Sequence, residues 1–320
     1  MPDHHGGILK SVARVEIVCL LDNYVDLLLG STDIVTRPPL SKNDTLPTET
    51  LIAEHGLSLL ITVYSGDRHH TILFDTGYNA FGVLHNLGQL DLDLDDLEAI
   101  VLSHGHMDHT GSLDQILQRI NRPVSLVAHP QAFRPGRFLG RKAKGRLAFP
   151  QTLNQSRLEA LGVDIRETAL PAPLADGTVL VSGEVARVTS FEKGFPDAVM
   201  VVDGQINTDP IADDQCLVMH LAGKGLVVVS GCAHAGIVNT LTHCRKLTGI
   251  ETIYAVFGGF HLTGPAFEPI IEETIAALKP FAPQIMVPMH CTGWQAIKRL
   301  SEAFPDAFIL NSVGSKYGLT

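Results

Sequence analysis

The sequence has no apolar run long enough for a transmembrane helix, no excess of positive charge and no paired cysteine motif. Its start lacks a positively charged region followed by an apolar stretch, so no signal peptide is predicted. The five cysteines are odd in number and form no CxxC pair, which favours reduced thiols in a cytoplasmic protein. The formal net charge of −10 argues against nucleic acid bound by a broad basic face. We therefore expect neither a membrane nor a nucleic-acid partner.

What is present is the composition of an ordinary globular protein, with 45% apolar and 18% charged residues in a chain of 320. A chain of this length can bury a large core, either as one large domain or as two. The composition leaves the oligomeric state open.

The densest group of metal-ligating residue types lies in residues 103–111, directly after the apolar run 99–102. That run predicts a buried strand, and helical spacing of apolar residues follows it. The group is therefore expected in a strand-to-helix loop at the carboxyl end of a strand, where open α/β sheets usually place ligands. Its candidate metal ligands are His104, His106, Asp108 and His109.

The spacing in this loop suggests two metal ions. His104 and His106 alternate and can point to the same side of an extended turn, whereas the adjacent Asp108 and His109 diverge. Imidazole and carboxylate groups suit Zn, Fe and Mn, and the loop contains no thiolate. We expect two divalent ions, with Zn favoured and Mn or Fe as alternatives.

The same hairpin, strand, loop and helix recur in the second half of the chain. A hairpin is predicted over 215–230 and a helix over 237–247, and further strands over 252–257 and 284–288. Three histidines each lie just past one of these strands, namely His234, His261 and His290. We predict that His234 and His290 are metal ligands, and that His261 is either a ligand or a structural residue.

Two copies of one supersecondary unit predict a pseudo-duplicated, four-layer αββα sandwich, an α/β fold in which each half supplies a metal-binding loop. The remaining histidines have no comparable context and are expected to be ordinary surface or core residues. They are His55, His69, His70, His85, His129, His220 and His243. Cys232 and Cys291 flank candidate ligands, and we expect packed thiols there rather than ligands.

Two features lie outside these loops. Asp75 ends a predicted hairpin, and it either orients the histidine loop through hydrogen bonds or caps a turn. Residues 134–146 are basic in an acidic chain. Our hypothesis is that this loop covers the metal site and binds a substrate phosphate or carboxylate through Arg141 and Lys142; the alternative is a solvated loop.

The His-x-His-x-Asp-His pattern at 104–109 resembles the signature of the metallo-β-lactamase superfamily. The sequence Asp75-Thr76-Gly77 and the later single histidines fit its remaining motifs. Residues 231–239, 258–262 and 290–293 look like the branch related to the methanopterin-pathway dihydropteroate synthase. The resemblance implies one domain over residues 1–320, with a basic loop inserted near 130–150.

By position, the resemblance implies two sets of metal ligands. His104, His106 and His234 would hold one metal, and Asp108, His109 and His290 the other. Most binuclear members carry a bridging aspartate after the strand where this chain has residues 258–261. His261 would replace that aspartate or serve the substrate, or the second site would be weak or empty.

The resemblance implies an enzyme, and we expect a metallo-hydrolase. A metal-bound hydroxide would attack an ester, lactone, thioester or phosphoester of a small, anionic molecule, with Asp108 as ligand and proton acceptor and His261 as the other candidate catalytic residue. The branch resemblance implies an alternative, a transferase that condenses a dihydropterin pyrophosphate with an aminobenzene ribofuranosyl phosphate. A non-catalytic metal-binding protein is the third reading.

Overall fold

The computed structural model describes residues 9–41, 43–120, 122–141 and 145–320, and of Arg141 it describes the backbone only. Its two large β-sheets pack face to face. The strands of the first sheet are, in spatial order, β10 (Asp164–Glu167), β7 (Ser125–Ala128), β6 (Leu97–Val101), β5 (Arg68–Phe74), β4 (Ser58–Ser65), β2 (Arg14–Leu21), β19 (Lys316–Leu319) and β3 (Val35–Thr36). Those of the second are β11 (Ala172–Leu174), β12 (Val179–Val181), β15 (Cys216–Leu221), β16 (Gly225–Ser230), β17 (Ile253–Gly259) and β18 (Ile285–Met289), with β1 (Ser11–Val12) beside β15.

The helices lie mostly on the outer faces of these two sheets. They are α1 (Gly82–Gln89), α2 (Met107–Thr110), α3 (Leu113–Ile120), α4 (Gln155–Ala160), α5 (Ile237–Thr248), α6 (Ile271–Leu278) and α7 (Trp294–Ala303). Within the described ranges, no helix combines the length and apolarity needed to cross a bilayer.

Three apolar clusters separate four layers. Phe74, Phe257 and Tyr317 are fully buried between the two sheets. A second cluster lies under α1 and α3, and a third lies under α5, α6 and α7. All six residues of β16 are buried because both faces of the strand are covered. This arrangement confirms the predicted αββα sandwich.

The two halves repeat one unit. In the first half, the antiparallel hairpin β4–β5 is followed by β6 and β7, which run parallel to β5. In the second half, the hairpin β15–β16 is followed by the parallel strands β17 and β18. Since parallel strands end at the same edge of a sheet, the loops after β5, β6, β16, β17 and β18 can meet at one rim.

The basic segment differs from its predicted loop. Its described residues belong to the antiparallel strands β8 (Arg137–Arg141) and β9 (Gly145–Ala148), which form a four-stranded sheet with β13 (Ala198–Val202) and β14 (Gln205–Thr208). Pairing with β13, about sixty residues later in the chain, supplies the ladder that the local composition did not indicate. Lys142 lies outside the described residues, so its proposed role, like that of Arg141, stays a hypothesis.

Candidate metal centre

Three imidazole nitrogens meet at the rim where the two halves join. His104 Nε2 lies 3.0 Å from His106 Nδ1 and 3.2 Å from His234 Nε2. Nitrogens bound about 2.05 Å from one tetrahedral metal ion are about 3.3 Å apart, so this spacing fits a shared ion. Burial lowers the pKa of His106 to about 4 and holds that of the other two well below the usual value. All three rings are therefore neutral, which is the form that ligates metal.

The second group of ligand atoms lies beside the first. Asp108 Oδ2 lies 3.2 Å from His290 Nε2 and 3.8 Å from His109 Nε2. Burial opposes ionisation of Asp108, but His109 and His290 outweigh it and hold its pKa well below the usual value. The buried Nε2 of His290 makes no hydrogen bond of acceptable geometry to any residue that the structure describes. A metal ion would satisfy this nitrogen and the carboxylate together.

Asp75 connects the histidine loop to the neighbouring strand. Its Oδ2 accepts hydrogen bonds from His109 Nδ1 at 2.6 Å and from Ser103 Oγ at 2.7 Å, and its Oδ1 accepts from Ser103 N at 2.7 Å. Burial opposes a charged imidazole, but Asp75 outweighs it and raises the pKa of His109 to about 9. The carboxylate fixes the ring through Nδ1 and leaves Nε2 facing the second ligand group.

The backbone around the rim is unusual. Four residues other than glycine adopt positive φ there: Asp75 (61°), Ala233 (53°), His261 (44°) and His290 (49°). Each follows a buried strand, and such conformations persist only where the surroundings enforce them. Gly105, between the candidate ligands His104 and His106, has no room for a side chain because a Cβ there would lie 2.3 Å from Ala132 O. Tight backbone packing thus helps to place the ligands.

Two residues directly after β2 position His290. His290 N donates to Asp22 Oδ1 at 2.7 Å, and its Nδ1 lies 3.1 Å from Asn23 Oδ1. The sequence analysis assigned no role to either residue. Their position directly after a predicted strand is a signal that could have identified them. The strand β2 runs antiparallel to β4 and therefore parallel to β5, so polar residues at its carboxyl end reach the same rim.

His55, which the sequence analysis treats as an ordinary residue, lies beside the second ligand group. Its side chain is 62% exposed, and its Nε2 lies 3.7 Å from Asp108 Oδ2. Its ring centroid lies 4.9 Å from that of His290. Burial, followed by the effect of His290, lowers the pKa of His55. No local motif marks this histidine, since only the packing of the loop before β4 brings it to the rim.

His261 lies at the junction of two cavities. The first, of about 540 Å³, also adjoins His234 and Lys193, and the second, of about 410 Å³, adjoins Leu147. Both are lined by His261 and Phe267, whose ring centroids lie 4.4 Å apart. The buried Nδ1 of His261 makes no hydrogen bond within the described part of the chain. His261 thus lies beside the candidate ligand His234, with ring centroids 4.3 Å apart, and lines both cavities.

The Asp75 network supports a test on metal affinity. Asp75→Asn removes the charge that holds His109, while asparagine tolerates the positive φ. We expect metal affinity to fall by about 10–100-fold, measured by competition with a chromophoric chelator. Asp96→Asn is the matched control, because Asp96 lies 3.4 Å from the exposed His69 far from the rim. Equal affinities in both variants would contradict the role of Asp75.

The fold and the converging ligand groups define a class of protein, and comparison with known families agrees. Residues 53–193 match the family model of the metallo-beta-lactamase superfamily. The chain belongs to that superfamily, as the resemblance of its motifs predicted. Members typically bind divalent metal ions, and the described residues include groups that could hold them.

Two curated proteins and one solved structure are similar to most of this chain. The 7,8-dihydropterin-6-methyl-4-(beta-D-ribofuranosyl)-aminobenzene-5'-phosphate synthase of Methanocaldococcus jannaschii is 33% identical over 262 residues, 80% of this chain and 87% of that protein. A second protein of that organism, itself uncharacterised, is 31% identical over 268 residues, 83% of this chain and 94% of its own length. The solved structure of Tm1679, a metal-dependent hydrolase of the beta-lactamase superfamily, matches with a TM-score of 0.70 over 96% of this chain and 98% of its own, at 23% identity. That last likeness supports the fold.

Proposed function

We propose that this protein is a metal-dependent transferase that condenses a dihydropterin pyrophosphate with an aminobenzene ribofuranosyl phosphate, or with a close analogue. The single observation that carries this choice is the pair of cavities that meet at His261, beside the candidate metal ligands. A condensation needs room for two organic substrates, whereas hydrolysis needs room for one. The 33% identity to a synthase named for such a product supports the substrate class.

The walls of the cavities offer aromatic surface to planar substrates and one lysine to a phosphate. Phe195 and Phe267 pack edge to face with ring centroids 5.2 Å apart and flank His261, which offers aromatic surface to a pterin or an aminobenzene ring. Lys193 lines the larger cavity and is exposed, so its ammonium group is available to a phosphate. Divalent ions at the ligand histidines would supply Lewis-acid stabilisation to a pyrophosphate leaving group.

The protein's own residues account for the remaining chemistry. The aromatic amine attacks the methylene carbon of the pterin, a carbon–nitrogen bond forms, and the carbon–oxygen bond to pyrophosphate breaks. His261 is placed to accept the proton that the amine loses, because it lines both cavities. Asp22 and Asn23 hold His290, and Asp75 holds His109, so the ligand side chains need little reorganisation.

Hydrolysis of a small phosphoester, lactone or thioester is the second candidate. The observation in its favour is the exposed His55 at 3.7 Å from Asp108, which offers a route for protons between this buried carboxylate and solvent. Such a route serves a reaction in which water is the nucleophile. In that case the cavity at Leu147 would hold only the leaving group or a substrate tail.

The two candidates differ in their dependence on the amine. The metal-loaded protein is incubated with dihydropterin pyrophosphate, with and without the aminobenzene ribofuranosyl phosphate, and pyrophosphate and the coupled product are quantified. The transferase predicts that both appear in equal amounts and only when the amine is present. Release of pyrophosphate or phosphate without the amine, at an unchanged rate when it is added, would favour hydrolysis and contradict the transferase.

Phe195 provides a test of the cavity assignment. Replacing it with leucine preserves apolar packing but removes the ring, and stacking contributes about 0.5–1.5 kcal/mol. We expect KM for the aromatic substrate to rise about two- to tenfold, with kcat little changed. Leu170→Ala, at a side chain 73% exposed outside both cavities, is the control and should leave both constants unchanged. An unchanged KM in Phe195→Leu would count against substrate stacking there.

A further inference from the structure

The sulfur of Cys232 lies between the two ligand groups. It is 3.2 Å from His109 Nε2, and the side chain is 2% exposed. It lies within 4.8 Å of the ligand atoms of Asp108, His109 and His290 in one group, and of His104 and His234 in the other. Cys232 is thus close to both groups at once, in a position that a ligand shared by two metal ions would need.

The strand that supplies a bridging aspartate in most binuclear members supplies no carboxylate here. The strand β17 ends at Gly259 and is followed by Phe260 and His261, and Phe260 is buried in the apolar cluster beneath the helices. A Cβ at Gly259 would lie 2.5 Å from Gly231 O and 2.6 Å from Cys291 Sγ. No side chain therefore fits at position 259. The loop after β16, which carries Cys232, fills the adjacent space.

The backbone around Cys232 is fixed on both sides. A Cβ at Gly231 would lie 2.0 Å from Ser103 Oγ and 3.0 Å from Asp75 Oδ2. The turn after β16 therefore packs tightly against these two side chains, which hydrogen-bond to each other beside the histidine loop. Ala233 has a φ of 53°. A strained turn packed this closely sets the direction of the intervening side chain. A packed thiol was predicted at this position from the sequence. The constraint on its direction comes from contacts between distant residues, which the sequence pattern does not show.

We propose that Cys232, as a thiolate, is the shared ligand of a two-metal centre and takes the place of the absent bridging carboxylate. The inference rests on the metal centre of the proposed function, but it concerns the ligand set and not the reaction. A thiolate favours softer ions, so the centre would prefer zinc, iron or cobalt over magnesium and manganese. This preference narrows a choice that the histidines and Asp108 leave open.

Cobalt provides a readout that is independent of turnover. The metal-free protein is titrated with Co²⁺, and the near-ultraviolet sulfur-to-cobalt charge-transfer band is followed together with bound metal. We expect the band to grow with the first equivalent and again with the second, because both ions share the sulfur. X-ray absorption of the zinc-loaded wild type should show a zinc–sulfur distance of about 2.3 Å beside nitrogen or oxygen at about 2.0–2.1 Å.

Two cysteine variants separate Cys232 from its neighbour. In Cys232→Ser we expect loss of the band and a fall of more than about 100-fold in affinity for the second ion, beyond the effect of losing a supporting contact. Cys291→Ser tests the neighbouring thiol, because Cys291 is also buried and its sulfur lies within 4.8 Å of the sulfur of Cys232, and it should keep the band. Cys232→Asp should restore binding of two ions without the band and shift the preference towards manganese.

The outcomes are distinct. A wild type that holds two cobalt ions without the band, or a band that persists in Cys232→Ser, overturns this inference and leaves the proposed function standing. A band that stops growing after one equivalent overturns the sharing of the sulfur. A wild type that binds no cobalt overturns both proposals. If Cys232→Ser fails to fold by circular dichroism, the wild-type titration and X-ray absorption decide the question.

Discussion

Alanine in place of His106 or of Asp108 is expected to abolish turnover while the chain keeps its fold. Each substitution removes a candidate ligand from one of the two groups, His106 Nδ1 from the first and Asp108 Oδ2 from the second. Metal ions contribute several kcal/mol of charge stabilisation to a transition state, which corresponds to a loss of roughly a thousandfold or more in rate. Circular dichroism and metal analysis would accompany the assay of kcat/KM.

The fold is expected to survive because both side chains lie at the rim rather than in an apolar cluster. His106 stacks on Phe149 with ring centroids 4.6 Å apart and planes 7° apart, so its loss removes one ring contact. His69→Ala, at an exposed histidine remote from the rim, is the control and should keep full activity and metal content. Turnover above a tenth of the wild-type rate in either variant would remove the metal centre from the mechanism.

Arg137→Met is expected to cause the largest loss of stability, about 3–5 kcal/mol in the free energy of unfolding. Arg137 is 4% exposed and makes paired contacts with Asp213 at 2.9 and 2.5 Å, and its Nε lies 3.1 Å from Asp209 Oδ2. Burial opposes these charges, so removing the cation that contacts both carboxylates leaves two buried acids without their main compensation. Urea denaturation in the presence of a chelator measures the change without a contribution from bound metal.

The loss would extend to the metal centre. Asp213 Oδ2 also accepts a hydrogen bond from Gly105 N at 2.8 Å, and Gly105 lies between His104 and His106. We therefore expect metal affinity to fall together with stability in Arg137→Met. Arg299→Met is the control, because Arg299 forms an exposed ion pair with Glu272 and should leave unfolding and metal binding near wild type. A change below about 1 kcal/mol at position 137 would refute the stabilising role of the buried pair.

The local part of the site could be predicted from the sequence. His104, His106, Asp108 and His109 occupy one loop, and the apolar run before them identifies a strand end without any knowledge of distant contacts. His234 and His290 were proposed on the same reasoning, because each lies in the loop after a buried strand. The predicted sandwich also followed from local patterns, since the hairpin and parallel strands recur in both halves.

Other parts of the site could not be predicted because they depend on contacts between residues far apart in the chain. The basic segment was interpreted as a loop over the site, but its Arg137 pairs with Asp213, 76 residues later, and is buried. Asp22 reaches His290 across 268 positions. The sequence shows the charges and their spacing along the chain, whereas the burial of a charge depends on the packing of the two halves.

The sequence by itself determined the candidate ligand types, their order and the strand ends that carry them, because hydrophobic periodicity and loop position act over short distances. Only the tertiary structure decided which side chains lie between the two ligand groups, which acids support them and where the cavities open. Those features arise when two β-sheets are pressed together, and close packing then selects one arrangement among many that the sequence pattern permits.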